Sequence, residues 1–240
     1  MTVADRRLDD VLAPLRDLHL ADLLETIAGA LDKGAHVRPE PWRRGADGKV
    51  LREGFLHLPS RHDLEIVKGG RSTRPVVDTQ MEIGFDAIET PDSSGFSMAI
   101  FPFQWQSAEL MLETRQRMPN WTPLRLWFLE FVQSSYGEEA PDLHGALHGI
   151  GNPHRSGGKI TFKIDFGSAP LRCVPALIEA LGQTGAARGS LREVSEVYCG
   201  RERSPPGGRC RAAEDAGFRS ASRESGARFA FAGRDATTDT

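Results

Sequence analysis

Val77-Asp-Thr-Gln-Met-Glu-Ile-Gly-Phe-Asp-Ala-Ile88 and, after Glu89-Thr-Pro-Asp-Ser-Ser-Gly95, Phe96-Ser-Met-Ala-Ile-Phe-Pro-Phe103 are the stretches on which the fold class turns. In the first, Val77, Thr79, Met81, Ile83, Phe85 and Ala87 alternate with Asp78, Gln80, Glu82, Gly84 and Asp86. Successive side chains of a strand point to opposite faces, so this period of two predicts a half-buried strand over 77–88. The turn-forming residues 90–95 then lead into a second strand over 96–103, and the pair is expected to run antiparallel.

Upstream, residues 50–58 and 63–68 flank the turn Pro59-Ser60-Arg61-His62 and suggest another hairpin, so that hairpins occupy 50–103. Before them, Leu8, Val11, Leu12, Leu15, Leu20, Leu23, Leu24, Ile27 and Leu31 keep helical spacing across 1–34. Pro14 lies among them and implies one kinked helix or a helical hairpin, ending at Gly34. Downstream, helices are predicted within 107–135. The first runs over 107–117. The second is capped by Thr122, has Pro123 in its first turn, and carries the stripe Leu124, Trp127, Phe128, Phe131 and Val132.

A strand and a helix follow over 158–183. Ile160, Phe162, Ile164 and Phe166 should face inward, and Leu171, Val174, Leu177, Ile178 and Leu181 form the helical stripe. Pro175 requires that this helix start late or kink. Consecutive hairpins with helices before and after them give an α+β fold, an antiparallel sheet with helices packed mainly on one face.

One domain is expected over 1–185. From residue 186 to 240 the only aliphatics larger than Ala are Leu191, Val194 and Val197, while Arg, Ser, Gly, Ala and Glu dominate. Such a stretch buries too little apolar area to offset roughly 1–2 kcal/mol of backbone entropy per residue, so 186–240 reads as a disordered tail. Its arginines are diluted by Glu193, Glu196, Glu202, Glu214, Asp215 and Glu224, which argues against nucleic acid as partner.

The 240 residues, 39% hydrophobic and 26% charged, suit a soluble globular chain. No run approaches the roughly 18 apolar residues that span a bilayer, and the N-terminus lacks the apolar core of a secretory signal. A cytoplasmic location without membrane contact is the expectation. Cys173, Cys199 and Cys210 form no CxxC pair and read as inert reduced thiols.

Charge is unevenly distributed. No Lys or Arg occurs between Arg74 and Arg115, a stretch holding Asp78, Glu82, Asp86, Glu89, Asp92, Glu109 and Glu113. On a strand, Asp78, Glu82 and Asp86 would share the outer face about 13 Å apart, too spread for one cation. Such a face suits a basic protein partner, whose approach it accelerates by electrostatic steering, with Asp78, Glu82, Asp86, Glu89 and Asp92 as the docking residues.

A second pattern is His144-Gly-Ala-Leu-His148-Gly-Ile-Gly151-Asn-Pro-His154. On a helix, His144 and His148 would lie one turn apart, and His154 would follow from a turn, a spacing able to hold zinc. It resembles the zinc signature of metzincin proteases, H-E-x-x-H-x-x-G-x-x-H. Gly145 stands where that family has its general-base Glu, and no methionine follows the third histidine. Glycine takes no proton from a zinc-bound water, so the resemblance implies at most a metal site or a degenerate hydrolase.

A broader resemblance is to bacterial toxin–immunity proteins. It rests on Phe162-Lys-Ile-Asp-Phe-Gly-Ser-Ala-Pro170, Phe101-Pro-Phe-Gln-Trp105 and Trp127-Phe-Leu-Glu-Phe131. It implies a small acidic domain that covers a toxin's active site. The expected function is therefore a non-enzymatic binding protein, an immunity-like inhibitor docking a basic toxin domain, with no cofactor. The alternative is a zinc-binding protein or degenerate zinc hydrolase using His144, His148 and His154.

Overall fold

The leucine pattern of the N-terminus folds as a single helix, α1 (Val3–Asp32), with Pro14 inside it rather than at the corner of a hairpin. Leu8, Leu12, Leu15, Leu20, Leu23 and Ala30 are its buried apolar positions, and Arg16 and His19 are buried beside them. The computed structural model describes residues 3–80, 83–90, 95–114, 119–133 and 143–194. One compact unit spans Met1–Tyr198. Residues 199–240, most of the predicted tail, lie outside the described residues. No described helix is long and apolar enough to cross a membrane.

The strands in chain order are β1 (His36–Pro39), β2 (Arg52–Glu53), β3 (Leu58–Pro59), β4 (Leu64–Lys68), β5 (Arg71–Thr73), β6 (Ile88–Glu89), β7 (Ser97–Ile100) and β8 (Ala108–Thr114). After α2 (Thr122–Val132) come β9 (Gly149–Ile150), β10 (His154–Ser156) and β11 (Lys159–Asp165). The last elements are α3 (Cys173–Gly182) and β12 (Ala186–Glu193). The main sheet runs β10-β11-β8-β12-β7-β6, with β9 also paired to β11. A small sheet, β1-β4-β5, and the pair β2-β3 complete the α+β fold.

The main sheet buries Met98, Ile100, Ala108, Leu110, Leu112, Ile160, Phe162, Ile164 and Leu191 in one core with α2, α3 and the first half of α1. The predicted stripe of α2 is buried as expected. A second core joins Leu20, Leu23, Leu64, Val77 and Leu143. Outer-face residues of the main sheet pair across strands. Glu113 lies opposite Lys159 and its carboxylate is 3.5 Å from the ammonium, while Glu109 lies opposite Arg192 at 2.7 Å.

Several expectations are corrected. Residues 108–114 form β8, not a helix. Ala, Leu, Met and Glu favour helices, but Ala108, Leu110 and Leu112 also alternate, and a central place between β11 and β12 overrides propensity. The sheet is mixed rather than purely antiparallel, because β12 runs parallel to β7.

The predicted boundary at 185 falls too early. Ala186–Glu193 is a central strand, hydrogen-bonded on both edges. Its sequence hid this because its outer face is polar and its inner face includes Gly189. A Cβ there would stand 2.9 Å from the Phe96 ring, so the missing side chain makes room for a neighbour's.

Residues 50–68 do not form the predicted hairpin. β4 turns back through Gly69-Gly70 into β5, and its other edge takes β1. Among the described residues of the predicted strand over 77–88, only the end, Ile88, joins a ladder, opposite Ile100 of β7. The alternation survives as burial over 77–80, where Val77 and Thr79 are buried and Asp78 and Gln80 exposed; at the far end Ala87, expected inward, is exposed and Ile88 is buried. Val77 donates its amide to the Asp63 carboxylate (2.6 Å) and Thr79 contacts His19, so this extended chain lies on side chains rather than on a strand. The helix α2 is preceded by Trp121 rather than capped by Thr122, whose amide bonds the Asn120 side chain. Pro175 sits in the first turn of α3, the late start its ring requires.

Candidate functional site

The predicted helix carrying His144 and His148 does not exist. Gly145 adopts φ 67°, a left-handed conformation that ends any helical run. His144 is exposed, His154 is exposed on the edge strand β10, and His148 is 1% exposed. The three histidines therefore do not converge as the spacing suggested. The position matching the protease base is Gly145, in the left-handed conformation.

The structure gathers a different set around His148. The residue enters between two strands, its amide bonded to the Asp165 carbonyl (3.1 Å) and its carbonyl to the Arg61 amide (2.9 Å). Its ring then lies among three carboxylates. Nε2 is 2.7 Å from Glu40 Oε1, and Nδ1 is 2.9 Å from Asp63 Oδ1 and 3.7 Å from Asp165 Oδ2.

Each partner is held in turn. Glu40 is fully buried between two prolines with φ 46°, a conformation that costs a non-glycine residue about 1–3 kcal/mol unless its surroundings impose it. Its carboxylate accepts from Ser168 Oγ at 2.5 Å and from the His144 amide. Arg61 donates to the Glu40 carbonyl at 2.7 Å and to the Val132 carbonyl at 3.0 Å, and it stacks 3.8 Å over the Trp42 ring. Asp165 caps the next turn by accepting from the Gly167 amide. Gly167 (φ 52°) is obligatory, because a Cβ would lie 2.3 Å from His148 Cδ2 and 2.6 Å from the Ala146 carbonyl. His19 is buried nearby, with Nδ1 3.3 Å from Thr79 Oγ1 and Nε2 without a hydrogen-bond partner among the described residues.

Burial opposes charge on Glu40, but the hydrogen bond and charge of His148, the Ser168 hydroxyl and the His144 amide outweigh it, holding the carboxyl below its ordinary range. Asp63 is lowered in the same way by His148 and the Val77 amide. Burial also favours neutral His148. The charge of Asp165 and the bonds to Asp63 and Glu40 outweigh it, and the ring stays protonated well above the ordinary histidine range. His19, where burial dominates, is held below that range and is neutral.

A protonated ring bonded through both nitrogens is no general base. It is a counter-ion tying together residues 40, 63 and 165 from distant parts of the chain. Cys173 is likewise no nucleophile, since it is fully buried and burial pushes its thiol well up.

A pH profile follows from the signs. Glu40 and Asp63, lowered on folding, contribute stability above their unfolded values near 4, lost as pH falls through the folded ones. His148, raised, contributes stability that is complete below about 6.5 and lost as pH rises through its folded value. His19, lowered by burial, costs stability as pH falls below its unfolded value near 6.5, so urea unfolding in chelator should give a maximum near pH 6.5 with losses on both sides. Stability that climbed steadily from pH 7 to 9 would contradict a charged His148.

Of the predicted docking acids, Asp78, Asp86 and Glu89 are exposed, and Glu82 and Asp92 lie outside the described residues. Sequence reasoning missed Glu40, Asp63, Asp165 and His19. Each is isolated in sequence, and the only local hint was a glutamate between two prolines. Comparison with protein-family models, curated proteins and solved structures returned no match for this chain.

Proposed function

We propose that this chain is a non-enzymatic binding protein, an immunity-like inhibitor that docks a basic protein surface through Asp78, Asp86 and Glu89. The observation that carries the reading is which acids remain uncompensated. Glu109 and Glu113, from the same Lys- and Arg-free stretch, are neutralised by Arg192 and Lys159 of neighbouring strands. Asp86 and Glu89 have no ion-pair partner among the described residues, and Asp78 is bonded only to the neutral amides of Gln80 and Gln106. These acids therefore retain a field that steers a cationic partner.

The test is the product of an adjacent gene, chosen for a basic domain and presented to the wild-type chain and to the D78K/E89K/D86K variant in a binding-kinetics assay. The association rate should fall about tenfold or more, with a shallower salt dependence and little change in dissociation. The variant should remain folded, since exposed substitutions typically cost within about 0.5 kcal/mol each. An unchanged association rate in a folded variant, or neighbouring genes whose products do not bind, would refute the reading.

A further inference from the structure

The three side chains around His148 Nδ1 do more than balance charge. The Nδ1 atom, a carboxylate oxygen of Asp63 and one of Asp165 all lie within 4.8 Å of one another. We propose that Asp63, His148 and Asp165 form a binding site for one divalent transition-metal ion, zinc by chemistry, with its fourth position left to solvent. This site shares only His148 with the one the histidine spacing suggested, and it is independent of the acidic docking face.

The geometry fits the ion. A tetrahedral zinc with bonds of about 2.0–2.2 Å needs ligand atoms about 3.3–3.5 Å apart. The Nδ1–Asp63 and Nδ1–Asp165 separations of 2.9 and 3.7 Å bracket that value. The ring is already oriented as a metal-bound histidine is, because Glu40 sits 2.7 Å from Nε2 and accepts its proton while Nδ1 faces the two aspartates. A carboxylate on the far nitrogen of a ligating imidazole fixes the tautomer and strengthens the ligand. Ser168 and the His144 amide hold that carboxylate in place.

The second, independent pointer is His19. Its side chain is fully buried and neutral, and Nε2 has no partner among the described residues, although a buried polar atom left unpaired is costly. The ring lies within electrostatic reach of Asp165, His148 and Asp63. A water carried by the bound ion would give the orphan atom a hydrogen-bond partner.

Charge closes the argument. Glu40, Asp63 and Asp165 bring three negative charges and Arg61 one positive, leaving the two that a divalent ion balances once His148 gives its Nδ1 proton to solvent. Access comes through Asp165. Its side chain is 34% exposed and lines a surface groove of about 360 Å³ with Gln106, Gly151, Asn152 and Lys163.

The experiment uses the full chain, stripped with chelator and titrated with Zn²⁺ by calorimetry, then with Co²⁺ to read the ligand field. Wild type should bind one equivalent and melt several degrees higher when loaded. The D165N variant keeps a side-chain acceptor for the Gly167 amide at a partly exposed position, and it should bind zinc at least about tenfold more weakly. H144A/H154A should bind as wild type does. Zinc uptake below about a tenth of an equivalent by folded wild-type protein would overturn the site. So would loss of binding in H144A/H154A with D165N unaffected.

Discussion

A chain ended after Gly185 will not fold, while one ended after Tyr198 will keep a cooperative unfolding transition. The reason is the position of β12. It pairs with β7 along Arg188–Leu191 and with β8 from Ala186 to Glu193, so its removal splits the main sheet rather than shaving an edge. Each lost backbone hydrogen bond is worth about 0.5–1.5 kcal/mol, and there are two rows of them. Met98, Ile100, Leu110 and Leu112, all buried, would also lose their neighbour Leu191 and the cover β12 gives them. The sum is comparable with the whole stability of a typical domain, about 5–15 kcal/mol. Circular dichroism and urea melts of the two truncations decide the matter. Midpoints within a few degrees of each other would mean that the central strand contributes nothing.

The second large effect is expected from His148→Ala, in chelator so that no metal contributes. The substitution leaves Glu40 and Asp63, 0% and 7% exposed at the side chain, with no positive charge between them. Breaking a buried ion pair by removing one partner costs about 3–5 kcal/mol, because the remaining charge is buried and uncompensated. For a chain of this size that is a fall in melting temperature of about 6–20 °C. The exposed His144→Ala should stay within about 0.5 kcal/mol. The alkaline loss of stability should also vanish in His148→Ala, because the group that deprotonates is gone. Equal melting temperatures for the two alanine variants would show that the buried network is not holding the fold.

The fold was legible where one pattern had one meaning. The stripe Leu124, Trp127, Phe128, Phe131, Val132 forms a helix and packs as its spacing requires. Ile160, Phe162 and Ile164 alternate inward on β11. The leucines of α1 line one helix. Legibility failed where neighbours decided. Ala108–Thr114 has helix-forming residues in an alternating order, and the two vacant edges of β11 and β12 settled the choice. The alternation over 77–80 marked a half-buried stretch, but alternation does not say whether a strand or a set of side chains lies beside it.

The site divides the same way. From the histidine segment, the sequence by itself determined that Gly145 stands where the zinc-protease signature has its general-base Glu, a matter of residue identity alone. It also determined the α+β class, because periodicity and turn residues act locally. Only the tertiary structure decided which histidine matters and with what. His148 meets Glu40, Asp63 and Asp165, which lie 108, 85 and 17 positions away, whereas His144 and His154, four and six positions away, point elsewhere. Contacts across such separations are set by how the sheet closes and where burial makes an unpaired charge costly, and neither quantity is written in the order of residues along the chain.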